Sequence, residues 1–331
     1  MSEDDEEGTV RRVICVLAVL TAMMVPATVL AEDPPEYLMG WGMFGTGDGQ
    51  FASLADVAID ANGNVYTIDE GNCRVQKFAP DSSFLASFGN RGYGDGQFQI
   101  PTSIAVDGAG NVFVADRGLW RVSKFTGDGT YLTSWGGSGS GNGEFGRLAD
   151  IAVDVNGNVY AVESQRVQVF TNNGAFLRSW GSPGYGEGQF QYPLGIAVDG
   201  QGNVYVADRN NWQVVKFAGD GTYLTSWGGS GSGNGEFGEL LADIAVDVNG
   251  NVYTVESGCR VQKFTPDGNF LWIFGSYGYD DGQFLDPLGI AADGSGNMYV
   301  ADRNRGRVSK FGHPSSPVQP TTWGAIKALY R

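Results

Sequence analysis

Six copies of one motif at near-constant spacing, in a chain of 331 residues with 52 glycines, predict an all-β fold, a six-bladed β-propeller of four-stranded blades. The tetrad Gly-Asn-(Val/Met)-(Tyr/Phe) recurs with its asparagine at Asn64, Asn111, Asn158, Asn203, Asn251 and Asn297, at spacings of 47, 47, 45, 48 and 46 residues. Around each tetrad lie short runs rich in Val, Ile, Phe and Tyr, broken roughly every 8 to 12 residues by Gly, Asn and Asp, the pattern of short strands joined by tight turns. Hydrophobic residues still make up 42%, with 8 Trp, 14 Tyr and 19 Phe, so the high glycine content marks turns and not disorder or collagen.

The second repeat shows the elements in order. A Gly-rich loop ends at Gln97 and Phe98, and an apolar strand, Ile104, Ala105 and Val106, runs to Asp107. Asp107 opens an Asp-x-x-Gly-Asn turn, where a carboxylate can accept the turn's own amides and Gly110 supplies a positive φ. The second strand runs from Val112 to Asp116, the third from Arg121 to Phe125, and the fourth from Tyr131 to Trp135 and Gly136. Four strands repeated radially leave few exposed sheet edges. The acid ending each second strand (Asp69, Asp116, Glu163, Asp208, Glu256, Asp302) recurs with an arginine opening the third (Arg74, Arg121, Arg166, Arg260, Arg307; Gln213 in the fourth repeat), as an ion pair or carbonyl clamp between strands.

These residues resemble the NHL repeat, whose pattern Gly-x-Gln-Phe, Ile-Ala-Val-Asp-x-x-Gly-Asn-Val-Tyr-Val-Ala-Asp and Arg-Val-x-x-Phe is followed over residues 37–311. Ring closure has its own signature. In repeats one to five, ten residues separate the third-strand Phe from the closing aromatic, as from Phe125 to Trp135, whereas Phe311 and Trp323 are twelve apart with Pro314, Pro317 and Pro320 between them. Proline suits a central strand badly. Tyr37, Leu38, Trp41 and Gly42 match Tyr131, Leu132, Trp135 and Gly136, so the N-terminal strand is expected to complete blade six. Residues 312–331 are left as a Pro-rich tail, with Trp323, Ile326 and Leu329 on one side of a short helical stretch.

Odd and even blades differ, and the segments 127–137 and 219–229 are identical, as are 137–145 and 229–237, so a two-blade unit was copied and the ring has pseudo-threefold character. Cys73 and Cys259 therefore fall a third of the ring apart, too far for a disulfide, which needs Cα atoms within about 7 Å.

Residues 13–31 form an apolar run preceded by Arg11 and Arg12 and ending Val29, Leu30, Ala31, which reads as a secretory signal peptide, or a signal anchor, over residues 1–31. On this reading the protein is secreted and extracytoplasmic, and it touches a membrane only if the segment is kept. The net charge of −16 becomes −13 after removal of residues 1–31, and no run of Lys or Arg exists, which excludes a nucleic-acid partner. His313 is the single histidine, so a His-rich zinc site or a Ser/His/Asp triad lacks its parts.

Two sets of residues break the sixfold pattern. Asp56, Asp150 and Asp243 stand just before the innermost strand of odd blades, where even blades carry Ser103, Gly195 and Gly289. Placed around the mouth of the central channel, three acids would suit Ca²⁺ with added waters and carbonyls; the bland alternative is that each Asp caps its own strand. In the loops between strands two and three, even blades present Arg117 and Trp120, Arg209 and Trp212, and Arg303, against Glu70, Ser164 and Ser257 in odd blades. Exposed Arg and Trp are favoured at binding hot spots, and packing of the Trp rings between blades is the competing reading. Glycines 141, 143 and 146 spell a dinucleotide fingerprint but precede a strand, so no helix N-terminus can hold a pyrophosphate.

The resemblance implies an interaction module, so the expected function is a secreted, non-catalytic, monomeric propeller engaging a protein, peptide or glycan through its loop-rich face. Its alternative is a calcium-dependent, lactonase-like hydrolase, since six-bladed relatives include lactonases and a peptide-amidating lyase with a metal at the propeller centre. The RING and B-box modules of RNA-binding NHL proteins have no counterpart in this sequence.

Overall fold

The computed structural model describes residues 33–238, 240–256 and 258–313. The signal segment, Ser257 and the tail beyond His313, including Trp323, lie outside them. Among the described residues, 24 strands form six separate four-stranded antiparallel sheets, five of them running in sequence order from the inside out. Blade one consists of Leu54–Ile59, Val65–Asp69, Arg74–Phe78 and Phe84–Phe88. The first strands of all six blades contact one another around the ring and so form its inner wall.

Burial follows position. The second strand is buried at all five residues in every blade, as in Val65–Asp69, because sheet neighbours flank it on both sides and the next blades cover both faces. The fourth strand is largely open, as in Phe84–Phe88, where water meets the outer edge.

The N-terminal strand Glu36–Trp41 pairs antiparallel with Arg307–Gly312, completing a sheet with Pro287–Ala292 and Met298–Asp302. Blade six is thus made from both ends of the propeller, and the ring is fastened by main-chain hydrogen bonds.

The core is six clusters, each between two neighbouring blades. One joins Tyr66, Ile68 and Val75 of blade one to Phe98, Ile104 and Phe125 of blade two. The cluster at the closure is built the same way, from Phe51, Leu54, Val57, Val65 and Phe78 with Tyr299, Ala301 and Val308. Trp41 packs into it at 5.8 Å from Phe78 and 6.4 Å from Tyr299. The phenylalanines that end the Gly-rich loops (Phe51, Phe98, Phe145, Phe190, Phe237 and Phe284) are all fully buried, each contributing about 1.5–3 kcal/mol by transfer from water. Gly89 shows why this loop is glycine-rich: its φ is +85° and a Cβ there would come within 2.3 Å of the Phe98 ring.

The aspartate turns form as the sequence predicts. Asp60 Oδ1 accepts the amides of Asn62 and Asn64 at 2.9 Å each, and Oδ2 accepts the Asn64 side-chain amide at 2.7 Å. The second-strand acid tethers the opposite face: Asp116 accepts the amides of Gln99 and Ile100 at 2.7 and 3.0 Å. Its arginine partner varies. Arg74 pairs with Asp69 at 3.2 Å and Arg260 with Glu256 at 2.8 Å, and Arg166 pairs with Glu163. Arg121 instead donates to the carbonyls of Gly94 and Gln97, and Arg307 turns to Asp281 at 3.2 Å. The ion pair and the carbonyl clamp occur together in Arg74, Arg166 and Arg260, which also donate to loop carbonyls, whereas Arg121 makes the clamp alone.

Cys73 and Cys259 are buried and form no disulfide. Among the described residues no helix is long and apolar enough to cross a membrane.

Candidate functional site

The inner ends of the first strands enclose a cavity of about 550 Å³ at one mouth of the central channel. Each first strand carries a one-residue bulge at this end: Leu54 pairs with Asp69 and Asp56 with Ile68, so Ala55 is left over. The equivalents are Thr102, Ala149, Leu194, Ala242 and Leu288, and all six line the cavity. An extra residue in one strand re-aims its side chain, and here it turns a row of the sheet toward the axis.

The rim comes from a second repeated device. The first residue after strand two donates its amide to the residue before strand one: Glu70 to Ser53 at 2.8 Å, Arg117 to Ile100 at 3.0 Å, Ser164 to Arg147 at 2.9 Å, Arg209 to Tyr192 at 3.1 Å and Arg303 to Asp286 at 3.0 Å. Glu70, Arg117, Arg209 and Arg303 are thereby held over the cavity and line it, with Arg147 and Asp286 from the lower row. Arg303 leans on Asp286, 3.6 Å away.

The Arg147 guanidinium lies 3.8 Å from the centre of the Tyr192 ring, with that of Arg209 at 5.6 Å from the same ring. Stacking fixes the plane of a guanidinium and leaves its edge for a ligand. Arg147 Nη1 is buried and has no hydrogen-bond partner. Burial, and then the charges of Arg117 and Arg209, hold the Arg147 pKa below its ordinary value.

Asp56, Asp150 and Asp243 form the floor; Asp56 and Asp150 are buried and Asp243 is half-buried. They are interblade staples more than strand caps. Asp56 accepts its neighbour Val57 N–H at 2.7 Å and, across the blade boundary, Ile104 N–H at 2.8 Å. Asp150 accepts Ile151 and Ile196 N–H, both at 2.7 Å, and Asp243 accepts Ile290 N–H at 2.9 Å. The even-blade residue then meets the next aspartate: Ser103 Oγ donates to Asp150 Oδ1, while a Cβ at Gly195 would come within 2.9 Å of Asp243 Oδ1 and one at Gly289 within 2.6 Å of Asp56 Oδ1. Glycine is required there by space.

Burial pushes the Asp56 pKa up to about 8, with the charge of Asp150 adding to it. Asp150 is raised less, to about 6, because burial is opposed by Ser103 and by two backbone amides. Asp243 is pushed well up by burial and then by Asp150 and Asp56. Among the described residues no group of three or more His, Cys, Asp or Glu side chains is placed to hold a metal ion. The carboxylate oxygens meet backbone amides, Ser103 and, between Asp150 and Asp243, each other.

The structure thus divides the expected binding face. Arg117, Arg209 and Arg303 converge on the cavity, but Trp120 and Trp212 do not line it. Both tryptophans occupy a left-handed position, φ 50°, that Cys73, Cys259 and Gly306 fill in other blades, and they are 41% and 38% exposed. Among the odd-blade residues, Glu70 reaches the cavity, and Ser164 lines a separate pocket of about 290 Å³ with Glu163 and Arg166. Arg147 escapes sequence reasoning because it occurs in one blade of six. Its signal is that the repeat position holding Ser53, Ile100, Arg147, Tyr192, Leu240 and Asp286 varies freely in charge where neighbouring positions are constant.

The family model for the NHL repeat matches residues 51–78, 190–217 and 284–311, which lie in blades one, four and six. No curated protein matches the chain. Among solved structures, a protein of unknown function from Bacteroides thetaiotaomicron aligns with TM-score 0.64 at 20% identity, over 85% of this chain and 76% of that one. A gluconolactonase from Xanthomonas campestris aligns with TM-score 0.61 at 15% identity, over 86% of this chain and 96% of that one. A streptogramin B lyase aligns with TM-score 0.56 at 14% identity, over 78% of each chain. At these identities the likeness is one of fold. With the NHL repeat matched in three blades and the same four strands repeated in the other three, the chain carries NHL repeats and folds as a six-bladed β-propeller.

Proposed function

We propose that the chain is a non-catalytic binding module that takes its ligand at the cavity mouth, on the face built by the loops between strands two and three. The observation that carries this reading is the convergence of Arg117, Arg147 and Arg209 on one cavity, with no acid bonded to any of the three among the described residues. Structural arginines in this propeller, such as Arg74 and Arg260, are spent on acids and loop carbonyls. Those at the mouth are held in place and left open. The ligand is a small molecule or a projecting group of a protein, peptide or glycan, and the signal-like N-terminus accords with a secreted protein.

The calcium-dependent hydrolase is the weaker reading. A gluconolactonase and a lyase share the fold, but the three acids that would hold the metal face amides, and Ser103, the hydroxyl beside them, is bonded to Asp150.

Thermal melts of the full chain against a library of small molecules, peptides and oligosaccharides, run beside Leu194→Trp to fill the cavity, test the reading. Ligands that raise the melting temperature of the wild type and not of Leu194→Trp, and are recovered unchanged, support it. Hits indifferent to Leu194→Trp, or turned over by the protein, refute it.

A further inference from the structure

The chemistry of the mouth narrows the ligand. Arg117, Arg147 and Arg209 come from blades two, three and four and form a cationic arc on a protein whose net charge is −16. The rim acids Glu70 and Asp286 belong to blades one and six, on the opposite side, and Asp286 is already engaged with Arg303. Within the arc, Arg147 Nη1 is buried without a partner, an unfavourable condition for a buried donor that an acceptor on a ligand relieves. The Tyr192 ring against Arg147 fixes the guanidinium for a two-point contact with a carboxylate or phosphate.

Below the rim, at the level of the strand bulges, the wall turns apolar, with Leu194, Ala242 and Leu288 among its residues. The floor is made of acids, and whether ionised or neutral these offer no positive charge to an anion. An anionic group is therefore stable only at the rim, and what extends inward is apolar. The volume, about 550 Å³, falls in the range of small-molecule sites.

We propose that the cavity binds an amphipathic organic anion, its carboxylate or phosphate head held by Arg117, Arg147 and Arg209 and its apolar body lodged between Leu194, Ala242 and Leu288. This rests on the reading of the cavity as the binding site and names the class of ligand.

Titration calorimetry of the full chain with octanoate, octyl phosphate, 1-octanol and octyltrimethylammonium, each below its aggregation concentration, tests it. The expected result is one-to-one binding of octanoate or octyl phosphate, at least about tenfold tighter than the alcohol or the cation and weakening with added salt. The tighter of the two anions identifies the head group. Arg147→Gln and Arg209→Gln, each checked for a wild-type melting temperature, are expected to lose about tenfold or more in anion affinity while binding of the alcohol is unchanged. Equal affinity for anion, alcohol and cation, insensitive to both variants but lost in Leu194→Trp, overturns the anion assignment and leaves the cavity as a binding site. No binding of either anion to the wild type also overturns it, and the library melts then decide the wider reading on their own.

Discussion

Replacing Asp56 by Asn changes how the stability of the propeller depends on pH, and the structure sets the sign and size of the change. The Asp56 carboxyl is buried, faces Asp150 and Asp243 across the floor, and has its pKa raised from 3.8 to about 8 by burial first and Asp150 second. The folded state therefore holds a proton that the unfolded chain releases. The stability linked to that proton is fully present below 3.8 and is lost as the pH rises toward 8, at about 1.4 kcal/mol per pH unit. Asn has no proton to lose, so across about pH 5 to pH 7 the Asp56→Asn curve should be flatter than wild type by about that slope. At the acid end the variant should be less stable by about 1–3 kcal/mol, because Asn has one acceptor oxygen where Asp56 uses two, for Val57 and Ile104. The curves therefore converge and cross as the pH rises. Urea unfolding followed by tryptophan fluorescence at constant ionic strength measures both. Parallel curves would refute the reasoning, since they would mean that Asp56 binds no extra proton in the folded state.

Three further outcomes are expected. Trp41→Ala, which removes the ring packed on Phe78 and Tyr299 at the closure, should cost about 3 kcal/mol in the same unfolding assay; a neutral effect would mean that the N-terminal strand does not hold the ring. Gly289→Ala should destabilise by about 1–3 kcal/mol, because its Cβ would meet the Asp56 backbone at 2.7 Å, whereas Gly294→Ala, which meets nothing within 4 Å, should have little effect on stability. Calcium added to the full chain in a calorimeter should give no stoichiometric heat and no rise in melting temperature, and a one-to-one isotherm abolished in Asp150→Ala would restore the metal reading of the three acids.

The ring could be read from the sequence because it is written six times. The strand order, the Asp60-type turns, the buried Phe51 series and the closure by Tyr37 to Trp41 all follow from positions that recur, and each has a local physical reason. The Asp56 series was visible as a threefold exception, but not its place on the floor of the cavity or its bonding. That the carboxylates reach across to Ile104, Ile196 and Ile290 depends on how blades pack, which no single repeat encodes. The cavity wall was hidden for a similar reason. Ala55 and Leu194 look like ordinary strand residues, and only the shift in pairing at Leu54 and Asp56, or Pro193 and Gly195, turns them inward. Trp120 and Trp212 show the opposite failure: their residue type drew attention, while the fold leaves them outside the cavity lining.

The claim that a ligand is held at the rim of the channel is tested most directly by a crystal structure of the full chain grown with octyl phosphate or octanoate. The expected structure has a head group about 3 Å from the Arg147 guanidinium, near Arg117 and Arg209, with the alkyl chain running down between Leu194 and Leu288. A ligand found only on the outer loops around Trp120 and Trp212, or on the face of the aspartate turns, would contradict it.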